Sequence, residues 1–187
     1  MCNPERSEGT LPGEMETMSE NVKLAWTVPL PEGFDLKEFA VGVLEIAKEN
    51  LQGDGNLIPT AFAITASHIH CYSVSFADHD EKPAAYSKLI EAARNQGASA
   101  LITCNDAFMD NKAGPDAVEA YYPGKLEAEN AKECIMLVVS GPAIQTWTAE
   151  LPYQRVGDDI EFSDMQEEFG GEVGFLEGWA CEMPKVQ

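Results

Sequence analysis

The sequence predicts an α+β or α/β fold in one domain: a mixed, mainly antiparallel sheet of about five strands with two helices packed on one face. Three observations carry this. Two segments repeat apolar residues at helical spacing between a capping residue and a glycine. Five further segments are continuously apolar or alternate with a period of two, as strands do. The chain has 187 residues, 44% of them hydrophobic, which suffices for one proper core and not for two.

Residues 1–20 are polar, hold Pro4, Gly9, Pro12 and Gly13, and lack periodicity. They are expected to form a flexible acidic arm, followed by a core domain over 21–157 and an acidic, partly docked segment over 158–187. Residues 22–28 form a short extended piece ended by Pro29 and Pro31. Asp35 then caps the first helix, with Glu38 three residues on as in a capping box. Phe39, Val43, Ile46 and Ala47 form its apolar stripe, widened by Leu36, Ala40 and Leu44, and Gly53 stands where it should stop.

Residues 57–65 read as a strand. Over 69–76, His70, Tyr72, Val74 and Phe76 face one way and Ile69, Cys71, Ser73 and Ser75 the other, the pattern of a strand with one better-buried face. The two form a hairpin turning near Ala66-Ser67-His68. The second helix is capped by Asp80 or Glu81, carries Pro83 in its first turn, and spaces Tyr86, Leu89, Ile90 and Ala93 at i, i+3, i+4, i+7 before Gly97. Residues 98–104 are a buried strand, and a loop of more than twenty residues, 106–131, follows. Loops of that length are uncommon and often functional. Residues 133–140 are a strongly apolar strand, and 143–153 return as its hairpin partner. An edge strand at 160–162 precedes the acidic end, where Phe169, Phe175, Leu176 and Trp179 argue for docking.

Charge excludes several classes. The chain carries 32 Asp plus Glu against 12 Lys plus Arg, a net charge of −20, and its three arginines are dispersed. Phosphate backbones and anionic lipid are held by clustered cations, so nucleic-acid and membrane partners are not expected, and a protein partner is expected to be basic. No basic start with an apolar middle occurs near Met1, and no stretch reaches membrane-spanning length, so a cytoplasmic location is expected. Five cysteines without tight spacing argue against a disulfide framework.

Chemistry-bearing residues are sparse. His68 and His70 alternate on a strand and share a face, so two imidazoles point the same way; they are the alternative to a chain without a metal. His79, Asp78 and Asp80 are the further ligands within sequence reach. Cys104 and Asp106 end a buried strand, where α/β enzymes place catalytic groups, but a cysteine nucleophile needs a histidine base beside it. The usual role of such a cysteine is a small buried hydrophobe. No phosphate-binding glycine loop, nucleophile elbow or zinc-type cysteine pair occurs, and no cofactor is expected.

The strand at 100–103 leads into Cys104-Asn105-Asp106-Ala107-Phe108-Met109, and after Pro123 the segment Ala131-Lys132-Glu133 opens the next strand. This arrangement resembles a family of small uncharacterised bacterial and phage α/β proteins with a Ser-Glu-Ala-Trp-like segment after a central strand and an Arg-Lys-Glu-like segment before the next. Asn105-Asp106-Ala107-Phe108 departs from the first, and Ala131 stands where the second has arginine. The resemblance implies no activity. The sequence therefore favours a non-enzymatic interaction or accessory protein acting through the long loop and the acidic tail. The alternatives are a small metal- or cysteine-dependent hydrolase-like enzyme on His68, His70 and Cys104, and an acidic DNA-mimic inhibitor suggested by the charge.

Overall fold

The computed structural model describes residues 21–76, 81–110, 131–157, 159–170 and 176. The acidic arm, the segment 111–130 and most of the chain beyond 170 lie outside the described residues, as do Asp78, His79 and Asp80. In chain order the elements are β1 (Val22–Pro29), α1 (Leu36–Asp54), β2 (Thr60–Ile64), β3 (His68–Val74), α2 (Lys82–Asn95), β4 (Ala100–Asp110), β5 (Ala131–Gly141), β6 (Ile144–Val156), β7 (Asp159–Phe162) and β8 (Gln166–Phe169). One sheet of eight strands joins them in the order β1-β3-β2-β4-β5-β6-β7, with β8 also on β6. Every pairing among the described residues is antiparallel.

The expected antiparallel sheet with two helices is present, but it has eight strands, not about five. Beyond the five inner strands lie the extended piece β1, the edge strand β7 read at 160–162, and β8, which the sequence did not suggest, all at the edges. The sheet thus continues past 157, and Leu176 is buried among α2-facing residues.

The helices lie on opposite faces, which corrects the expectation of one shared face. Ala40, Val43, Leu44, Ala47 and Leu51 of α1 pack with Phe62, Ile64, Ile69, Cys71, Ile102 and Leu137. Ala85, Tyr86, Leu89, Ile90 and Ala93 of α2 pack with Ala61, Ala63, Tyr72, Leu101 and Val138. Alternate residues of the same strands supply the two clusters, as the two-residue period of a strand requires. The inner strands are therefore covered twice. In β3 both Tyr72 and Cys71 are buried, so its apparent one-sided alternation was misleading. The α2 side of β2 is lined by Ala61 and Ala63, small enough to let that helix approach.

Local chemistry accounts for the helix ends. Asp35 is extended, and its carboxylate accepts from the Glu38 amide at 2.8 Å, the expected N-cap. The stop differs: α1 runs through Gly53 to Asp54, and the left-handed residue is Gly55 at φ 68°, whose amide donates to Leu51 O at 2.9 Å. The α2 end follows expectation, with Gly97 at φ 70° donating to Arg94 O and the Ala98 amide reaching Ala93 O, a Schellman closure. The predicted hairpin is present, with Thr65 to Ser67 connecting β2 to β3.

The long loop is shorter than expected. β4 extends to Asp110 and β5 begins at Ala131, so Asp106 is a strand residue opposite Ile135. The two segments that carried the family resemblance are register neighbours, with Phe108 opposite Glu133 and Met109 opposite Lys132.

Candidate functional site

An apolar groove of about 680 Å³ opens on the α1 face, between that helix and the β1-β3-β2 edge of the sheet. A bulge creates one wall. Leu24 pairs with Tyr72 and Trp26 with Cys71, so one residue of β1, Ala25, is left over. The extra residue resets the alternation and turns Trp26 onto the α1 face. Trp26 meets Phe62 at 5.9 Å between ring centroids, and Phe39 of α1 meets Phe62 edge-on at 5.4 Å and 88°. Val43 and Ile46 line the helix side. Ile46, expected in the buried stripe, is 58% exposed, and Ile58 opposite is 66% exposed. Both are large apolar side chains spent on the rim of this groove.

Cys71 and Cys104 lie in the groove's floor. Burial pushes the Cys71 thiol up to about 11 and the Cys104 thiol to about 12. Both are neutral thiols at physiological pH, and a neutral thiol is not a nucleophile. Asn50, Asn56 and Thr60 add uncharged polar groups, and Asp54 is the one charged side chain along the groove among the described residues. Lys23 shares this face of β1 through its pairing with Ser73, but does not line the groove.

The four residues singled out in the sequence do not converge. Cys104 faces α1, whereas His70 alternates with Ile69 and Cys71 and so faces the α2 side with Tyr72. A whole sheet separates thiol from imidazole, which removes His68 and His70 as bases for Cys104. Asp106 shares the Cys104 face, and its carboxylate accepts from Tyr153 Oη at 2.9 Å. Burial raises its pKa above the usual carboxylate range; the Tyr153 hydrogen bond opposes this, Glu133 adds to it and Arg155 opposes it. Arg155 itself is held by Glu133 at 3.2 Å and by Gly55 O at 2.9 Å. On the other face Tyr86 donates to Asn105 Oδ1 at 3.0 Å, both side chains buried.

His68 and His70 do come together. Their ring centroids are 6.0 Å apart with 34° between planes. They line a cleft of about 440 Å³ with Thr27, Thr65, Ser67 and the α2 C-terminal residues Gln96 and Gly97. Burial lowers the His70 pKa, and neighbouring His68 lowers it further. Among the described residues no three His, Cys, Asp or Glu side chains converge, and no described helix is long and apolar enough to cross a membrane.

The groove escaped the sequence reading. Its signal was present, as three large apolar residues without a core role: Trp26 on a short strand, and Ile46 and Ile58 flanking the helix end. Comparison with protein-family models, with curated proteins and with solved structures returns no match.

Proposed function

We propose that the chain is a non-enzymatic binding or accessory protein, and that the groove between α1 and the β1-β3-β2 edge holds a small, uncharged, apolar molecule. The observation that carries this is the groove itself: about 680 Å³, walled by Trp26, Phe39, Phe62, Val43, Ile46 and Ile58. Ligand sites are typically about 300–1,000 Å³, mostly apolar, with a few polar groups that orient the guest. The rings favour a guest with a flat apolar body through edge and offset contacts. No cation among the described residues lines the groove, which disfavours a carboxylate or phosphate there. The enzyme reading loses support because the floor thiols are neutral and lie across the sheet from His68 and His70. The long loop read at 106–131 and the acidic tail, which the sequence favoured as contact surfaces, do not enter this reading.

The test is titration with N-phenyl-1-naphthylamine, a neutral apolar dye that brightens on leaving water. Saturable binding at one site per chain is expected. Ile46→Lys and Ile58→Lys alter exposed positions, so the fold persists, and each should weaken binding by roughly tenfold or more, about 1.4 kcal/mol. Absence of saturable binding, or equal binding by both variants, would sink the proposal.

A further inference from the structure

We propose that His68 and His70 form a binding site for a divalent transition-metal ion of the zinc and nickel class, on the face of the sheet opposite the groove. The strand supplies the first condition. Residues two apart on β3 project to one side, and the two imidazoles stand 6.0 Å apart at an angle of 34°. Two rings sharing one ion through metal–nitrogen bonds of about 2.0–2.1 Å have centroids on the order of 5 Å apart. A modest χ rotation closes that difference.

The second condition is orientation. Thr27 Oγ1 lies 3.0 Å from His70 Nδ1, and Ser67 Oγ lies 2.8 Å from His68 Nδ1. Each hydroxyl can accept, and in that tautomer Nδ1 carries the proton while Nε2 keeps its lone pair, the ligating form. Metal-bound histidines characteristically donate their other ring nitrogen to such a partner. Thr27 belongs to β1 and Ser67 to the β2–β3 turn, so the two rings are held from two separate elements. The turn is itself fixed, with Thr65 Oγ1 donating to His68 O at 3.0 Å and accepting from the His68 amide at 2.9 Å.

The third condition is electrostatic. The C-terminus of α2 enters the same cleft through Gln96 and Gly97. That end of a helix carries partial negative charge and favours a cation. Among the described residues no Lys or Arg lines the cleft to compete. The cleft leaves room for water or a small exogenous ligand to complete the coordination shell, because among the described residues two ligands line it. An open shell of this kind suits an ion that meets a second molecule and does not suit a closed structural zinc.

Equilibrium dialysis of the full chain against Zn²⁺ and, separately, Ni²⁺ tests the site, with the histidine C2–H proton resonances as a second readout under Zn²⁺. One ion per chain is expected, with the His68 and His70 signals moving together. His68→Gln and His70→Gln should each lower affinity at least tenfold, and His79→Gln should leave it unchanged. His68 is exposed, so His68→Gln should keep the metal-free melting temperature and separates loss of a ligand from loss of the fold. No bound ion, or an ion retained by both His68→Gln and His70→Gln, overturns the proposal. Loss of the ion in His79→Gln alone also overturns it.

Discussion

Thr103 lies in β4, fully buried, and its hydroxyl finds no partner among the described residues. A buried polar group left unpaired costs on the order of 1–3 kcal/mol, while an apolar group of the same shape costs nothing comparable. Thr103→Val should therefore leave stability unchanged or raise it by about 1 kcal/mol in chemical denaturation; a clear loss would mean that the hydroxyl is bonded. Asp106 makes the matching case for charge. Its folded pKa stands above the unfolded value, chiefly through burial. The folded state thus binds that proton more tightly, so the associated stability is present in acid and is lost as pH rises through the folded pKa. Asp106→Asn removes the ionisation and keeps an oxygen that can accept from Tyr153. The variant should be the more stable protein at pH 7, with the difference closing below about pH 4, where an unfolded aspartate also protonates. Equal stability at both pH values would show that the site does not titrate with folding. The sequence exposed the burial of Cys104 but not the surroundings of Asp106. Its partner Tyr153 is 47 residues away, and only the β4-β5-β6 register brings the two together.

Elements were legible where caps and periodicity agreed. The Asp35 cap and the α2 stripe stand as read, because each depends on residues within one or two turns. Leu89 lies mid-stripe and is fully buried, so Leu89→Ala should cost about 2–5 kcal/mol. Ile46→Ala on α1 removes an aliphatic side chain that is 58% exposed and should stay within about 0.5 kcal/mol, the usual range for surface changes. Similar losses at both sites would contradict the assignment of the faces. The α1 end was misread for a definite reason. Gly53 fits inside a helix at a propensity cost of roughly 1 kcal/mol, whereas the left-handed turn needs the later glycine, Gly55. Strand ends were harder still. Asp106 and Asn105 are polar and resemble loop residues, yet the register with β5 keeps them in the ladder. Gly141 shows another constraint that sequence hides: a Cβ there would run into the Ser99 carbonyl, and this contact lies between residues 42 positions apart. Gly141→Ala should destabilise by about 1–3 kcal/mol, as overpacking does, and an unchanged midpoint would show that the β5 end can shift.

The whole molecule was legible as a class and not as a count, because edge strands carry little of the hydrophobic signal that marks inner ones. Every residue of β8 is exposed, and β1 is exposed after Val22. The placement of the helices was equally hidden: β2 is apolar on both sides, so its composition is compatible with cover on either. One global property was plain from the start, the charge of −20, and its consequence can now be located. The β7/β8 edge gathers Asp159, Glu161, Asp164, Glu167 and Glu168. Glu150 on β6 pairs with Gln166, next to Glu168, and has its pKa raised, first by burial and then by Glu168. The opposing ion pairs are exposed contacts such as Lys37 with Glu167 at 3.6 Å and Lys48 with Glu45 at 2.9 Å. Exposed pairs of that kind contribute about 0–1 kcal/mol each, so screening them loses little. Screening the repulsion gains more, since at physiological salt the Debye length is about 8 Å and charges beyond it cease to act on one another. The melting temperature should therefore rise as sodium chloride increases from low to physiological concentration, and the rise should flatten once the Debye length falls below the spacing of carboxylates along the edge. Glu168→Gln should raise the starting value and shrink the salt-dependent gain. Sodium chloride is the proper probe because sulfate would also strengthen apolar burial. A melting temperature that falls with salt would mean that the exposed ion pairs outweigh the repulsion, and that the acidic edge is held by contacts stronger than their geometry indicates.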